Sequence, residues 1–214
     1  MAIVQNPITG RSKKKFGTAV FSKQFGKNTM RTKPIEVRNP KTQLQKEQRT
    51  KFSLMVKLSR MFLGFIRIGF KQAAVSMSQF NLFMKSNIYN VITGVYPNYA
   101  IDFTKLVVSK GTLTGADGAT AVAAAGRKIT LAWNDNTGTG DALDTDKALQ
   151  LVLNYEKGAV IQDTTNKTRA DLTNELIVPA SWVGDTVHVY LSFRDEAGVR
   201  VADSSFLGSV IVLV

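Results

Sequence analysis

Cysteine is absent from this 214-residue chain, which removes a disulfide scaffold, thiolate catalysis, iron–sulfur ligation and most structural zinc sites. A single histidine, His188, leaves little for imidazole-based metal or acid–base chemistry. Long apolar runs are missing too. The most apolar stretch, 61–70, is too short to span a bilayer and contains Arg67, and extending it back to Phe52 brings in Lys57 and Arg60. The opening MAIVQNP has no charged segment followed by an apolar run, so neither a secretion signal nor a membrane partner is expected, and the chain reads as soluble. With 44% hydrophobic and 21% charged residues, wholesale disorder is excluded, and a chain this long can bury roughly 70% of its unfolded surface.

Acidic residues are scarce at the front. Residues 1–60 carry a net +13, residues 61–110 a net +4 and residues 111–214 a net −5, which together give the chain its +12. A basic front joined to a mildly acidic back suits two partners, a polyanion or the acidic back of a neighbouring copy.

Residues 1–41 read as a basic β-hairpin arm, with short strands at 8–10, 16–21, 24–28 and 30–37 and a hairpin turn at Gly26–Asn28. A flexible tail is the alternative reading of such a charge run. Thr42 and Gln45 have capping-box spacing, so a helix is predicted to start there. Apolar residues at helical spacing then predict two helices over 42–94, packed as a hairpin with a turn or kink near Gly64 and Gly69. Residues 95–104 read as a linker. Over 105–214 about seven short strands, beginning with 106–109 and 128–133, alternate with turn-rich segments and predict an immunoglobulin- or fibronectin-like sandwich. The expected class is α+β.

Nothing in the sequence spells out a reaction. His188 lies on a predicted strand opposite the apolar positions and reads as exposed or as a packing residue. Asp135, Asp141, Asp144 and Asp146 have oxygens enough for calcium but not the spacing of an EF-hand, so a solvated acidic loop is expected. Gly115–Gly118 lacks the Lys-Ser/Thr of a phosphate loop. No cofactor and no metal are implied, and the chain is not expected to be an enzyme. The positive signal is the front: Arg11, Lys13, Lys14, Lys15, Lys23, Lys27, Arg31, Lys33, Arg38 and Lys41 alternate with Phe16, Phe21 and Phe25, a mixture suited to phosphates and stacked bases or to an acidic protein face. Phe52, Met55, Phe62, Phe80 and Phe83 form the apolar stripe expected to serve as helix-hairpin core or assembly interface.

The order Gly10, Gly17, Val20-Phe21, Gly26, Met30-Arg31, Pro34 and Asn39-Pro40-Lys41-Thr42, followed by Gln45, Arg49 and Phe52, resembles a family of unknown function (number 6266) found in Bacteroidota and their phages. Ile66–Lys71, Asn87, Gly94-Val95-Tyr96-Pro97 and Ile101-Asp102 extend the resemblance over nearly the whole chain. It implies kinship with proteins of no assigned activity, and it carries no functional residues over.

The leading expectation is a non-enzymatic structural subunit of a phage virion, capsid or other component, or of a related self-assembling particle. Its partners would be further copies of itself, other virion proteins, and DNA or RNA through the arm. It would be found in the virion or, during assembly, in the bacterial cytoplasm. A sequence-nonspecific nucleic-acid-binding protein and a surface adhesion or carbohydrate-binding module are the alternatives.

Overall fold

The computed structural model describes residues 2–3, 14–36 and 39–214, which fall into two compact units, Met1–Gln43 and Leu44–Val214. The strand expected at 8–10 lies outside the described residues. In the first unit β1 (Ala2–Ile3), β2 (Lys14–Phe16), β3 (Ala19–Gln24) and β4 (Lys27–Thr32) form an antiparallel sheet in the order β1-β4-β3-β2. The expected hairpin is present as β3–β4, its turn one residue earlier than Gly26–Asn28, and β1 and β2 extend it on either side. Gly17 (φ 56°) turns the chain between β2 and β3. Phe25 (φ 48°) and Gly26 (φ 81°) form the two-residue loop between β3 and β4, with the paired positive φ of a type I′ turn. Ser22 and Thr29, cross-strand partners, share a 2.7 Å hydrogen bond between their hydroxyls.

The second unit opens with three helices, α1 (Gln43–Met61), α2 (Leu63–Gly69) and α3 (Gln79–Asn87), where apolar spacing predicts two. Helix α1 starts directly after Thr42 and ends where Phe62 leaves helical geometry (φ −132°, ψ 38°). Helix α2 ends at a close approach: a Cβ on Gly69 would lie 2.7 Å from both Ser109 Cβ and Val108 O. The helix expected from Phe70 begins only at Gln79, because the Ser78 hydroxyl accepts the Asn81 N–H (3.2 Å) and caps it there. A small hairpin follows, β5 (Ile92–Val95) and β6 (Asn98–Ile101), across the residues that read as a linker.

Seven strands occupy the remainder: β7 (Asp117–Ala124), β8 (Lys128–Asn134), β9 (Lys147–Asn154), β10 (Ala159–Asp163), β11 (Thr173–Ile177), β12 (Thr186–Arg194) and β13 (Ser205–Ile211). They form two antiparallel sheets, β10-β9-β12-β13 and β11-β8-β7. The segment 106–109, expected as a strand, is buried but belongs to neither sheet. Its middle is held by side chains instead: Asn87 binds Val107 N and O, and the Ser204 hydroxyl accepts the Val108 N–H, while the Ser109 carbonyl accepts the Ser204 backbone N–H. The alanine-rich β7 was not anticipated.

The central strands are covered on both faces, and their alternation divides two cores. Leu149, Leu151 and Leu153 of β9 and Tyr190 of β12 join the helical residues Met55, Leu58, Phe62, Phe65 and Phe83. Ala148 and Val152 of β9 and Val187, Val189, Leu191 and Phe193 of β12 join Ile129, Leu131 and Trp133 of β8. Each large side chain so buried contributes about 1.5–3 kcal/mol. The helical core is ordered around Phe83, which meets Phe62 and Phe70 edge-on at 5.7 and 5.8 Å.

Candidate nucleic-acid and subunit interface

Of the ten cations singled out at the front, Lys14, Lys15, Lys23, Lys27, Arg31, Lys33 and Lys41 are exposed, while Arg11, Lys13 and Arg38 lie outside the described residues. Strand register decides what the small sheet presents. Lys15 pairs with Val20 and Val20 with Arg31, so Lys15, Arg31 and, two residues from Arg31, Thr29 and then Lys27 share one face. Lys23 lies on the other, beside Phe21 and Met30. Among the described side chains of this sheet only Thr29 is buried. Neither face is a continuous apolar surface, and both carry positive charge.

The five apolar residues expected at an assembly interface separate. Met55, Phe62 and Phe83 are fully buried in the chain's own core and have no surface to offer a partner, and Phe80 packs partly buried beside them. Phe52 alone is well exposed, at 48%. It sits on the outward face of α1 with Arg49, Ser53, Val56, Lys57 and Arg60, which line a shallow open groove. Lys51, on another side of α1, holds its ammonium 5.0 Å from the Tyr99 ring centre of the β5–β6 hairpin.

His188 is half-buried, not solvated, because the face opposite the apolar positions of β12 is itself covered. Phe103 stacks on the imidazole at 3.8 Å, and Nδ1 lies 2.8 Å from the Ser209 hydroxyl. Burial pushes its pKa down to about 4. With Phe103 over the ring and no carboxylate bonded to it among the described residues, the histidine is a packing residue.

The expected solvated acidic loop is partly internal. Asp146 is fully buried and paired with Arg169 at 3.1 Å. Asp141 accepts from the Thr114 hydroxyl (2.7 Å) and backbone (2.8 Å) and from Arg200 (2.7 Å), and these bonds hold its carboxyl below the usual range, the Thr114 hydroxyl most of all. Asp135 turns back on Thr137 N. Among the described residues no group of three or more acidic or histidine side chains is arranged to hold a metal ion. No described helix is long and apolar enough to cross a membrane.

Arg169 was not visible in the sequence. Its guanidinium is fully buried over the Phe193 ring (3.9 Å) and donates to Asp146, Asn136 and the carbonyls of Thr114 and Gly115, tying together the loops that precede β7 and β9. Burial draws its pKa down, and Asp146 opposes that. No spacing rule marks an arginine that will be enclosed.

No curated protein matches the chain. The model of one family covers residues 10–208, spanning both the small basic sheet and the helix-and-sheet unit, and by that match the protein belongs to the family of unknown function DUF6266.

Proposed function

We propose that the protein is a non-enzymatic structural subunit of a phage virion or a related self-assembling particle, whose basic N-terminal unit contacts neighbouring subunits or packaged nucleic acid. The observation that carries this reading is the division of labour between the two units. Residues 1–43 hold ten cations against one carboxylate, and the described side chains of their small sheet bury only Thr29, whereas residues 44–214 have two apolar cores. A sheet so small is marginal alone and gains stability from a partner surface. In the same reading the two sheets over 117–211 are an immunoglobulin-like sandwich, supported by a core drawn from both.

Deleting residues 1–38 tests this. The shortened chain is expected to keep the cooperative unfolding of the 44–214 unit and to lose assembly, read by light scattering and electron microscopy. Particles unchanged by the deletion would refute the role assigned to the arm.

A further inference from the structure

We infer that the outward face of helix α1 is a second nucleic-acid contact surface, distinct from the N-terminal arm, which binds the phosphate backbone without reading sequence. Steps of three and four residues put Lys46, Arg49, Ser53, Lys57 and Arg60 on one face, one position per helical turn. At 1.5 Å per residue the ladder is about 21 Å long. Lys46, Arg49, Lys57 and Arg60 are all exposed, and the only acidic residue of α1, Glu47, is half-buried and off this face. No carboxylate lies within ion-pair distance of Lys46, Lys57 or Arg60 among the described residues.

Such a ladder has a cost. Lys57 and Arg60 are like-charge neighbours one helical turn apart, an arrangement that destabilises a helix by about 0.2–0.5 kcal/mol. A line of phosphates removes that repulsion, and counterions released from the nucleic acid drive the association.

Two other occupants fit less well. A membrane surface takes the apolar side of an amphipathic helix, but here Met55, Leu58 and Phe62 are buried against the sheet, and the apolar residues left exposed on α1, Leu44 and Phe52, are scattered rather than a continuous face. Of the carboxylates a second copy offers, Asp141 and Asp195 are already paired with Arg200, and the exposed Asp144, Glu156 and Glu196 lie in three separate loops.

The inference rests on the assembly reading for the presence of nucleic acid, and its test separates the two. Full-length protein carrying Lys46→Gln, Lys57→Gln and Arg60→Gln is titrated with mixed-sequence duplex DNA over a range of salt, beside wild type and an arm variant with Lys14, Lys15, Lys23 and Lys27 changed to Gln. The exposed positions leave thermal unfolding as a folding control. The helix variant is expected to lower the slope of log K against log salt by about 2–3, at roughly 0.9 per lost phosphate contact, and to weaken an unrelated sequence equally. A slope lowered by the arm variant alone would overturn the inference and leave the assembly reading standing. Absence of DNA binding by wild type at low salt would also overturn it, while particle formation independently decides the assembly reading. An unchanged DNA slope with lost binding to phosphatidylserine vesicles would transfer the face to a membrane. An unchanged slope with an altered solution mass would transfer it to a contact between copies.

Discussion

Replacing Arg169 with Met should be among the most damaging single changes in the chain. The substitution keeps most of the aliphatic stem over Phe193 but removes five hydrogen bonds, two of them to Asp146 Oδ2. What remains is a fully buried carboxylate whose Oδ1 has no partner even in the wild type, together with the Thr114 carbonyl deprived of its donor, while the Gly115 carbonyl keeps the Asn136 amide. Removing one member of a buried ion pair costs about 3–5 kcal/mol, mostly because the surviving charge is stranded. For a chain of this size each kcal/mol moves the midpoint by about 2–4 °C, so thermal unfolding followed by circular dichroism should show a drop of roughly 6–20 °C. The double variant Arg169→Met with Asp146→Leu removes the stranded charge and should lose less than the single one, although it also gives up the Leu143 N–H bond to Asp146. A single variant within about 1 kcal/mol of wild type, or a double variant worse than the sum of its parts, would refute this account of the loop end.

His188 titrates low in the fold and near 6.5 when unfolded, so the stabilisation from its neutral ring is complete above pH 6.5, falls as pH drops towards about 4, and is gone below that. The stability of wild type should therefore fall between pH 7 and 4.5 more than that of His188→Gln, by about 1 kcal/mol once screening of the half-exposed ring is allowed for; as the only imidazole, its proton resonances give the pKa directly, and a value near 6.5 would refute the burial argument. Gly69→Ala places a methyl 2.7 Å from Ser109 Cβ and Val108 O and should cost about 1–3 kcal/mol in chemical denaturation, whereas Gly64→Ala meets only the Gln162 amide at 3.7 Å and should be neutral or slightly stabilising. Asn87→Ala strands the Val107 N–H and C=O beside the end of α3; a loss of about 2–3 kcal/mol and faster amide exchange at Val107 are expected, and unchanged exchange would show that another group holds that segment.

The elements legible in the sequence are those whose local pattern and tertiary use agree. Helix α1 announces itself by the residues at 39–42 and by apolar spacing, and β8, β9, β11 and β12 by their branched and aromatic alternation. Strand β7 does not, because its alanines favour helix and its pairing with β8 overrides that preference. Leu106–Ser109 looks like a strand for a sound reason, since it is largely buried, but the partners of its middle residues are the Asn87 amide and the Ser204 hydroxyl, which no periodicity reveals. The apolar stripe on the helices shows the same limit. Spacing says that Met55, Phe62 and Phe83 share a covered surface, but not whether the cover is another chain or the chain's own sheet. The arm's cations were legible as charge, while their division over two faces of a sheet needed the register.

On the reading proposed here the two basic surfaces do different work, and the difference follows from what each buries. Helix α1 has its apolar side already packed against β9 and β12, so its cations are held in line before any polyanion arrives and little ordering opposes binding. The small sheet has cations on both faces and, among its described side chains, only Thr29 buried, and its order depends on ladder bonds and two glycine-containing turns. Part of any binding energy it gains goes into holding that sheet together. Affinity per charge is therefore higher on the helix. Coupling between binding and order is stronger in the arm, which is the property an assembling subunit needs if copies carrying +12 are to stay apart until a partner neutralises them.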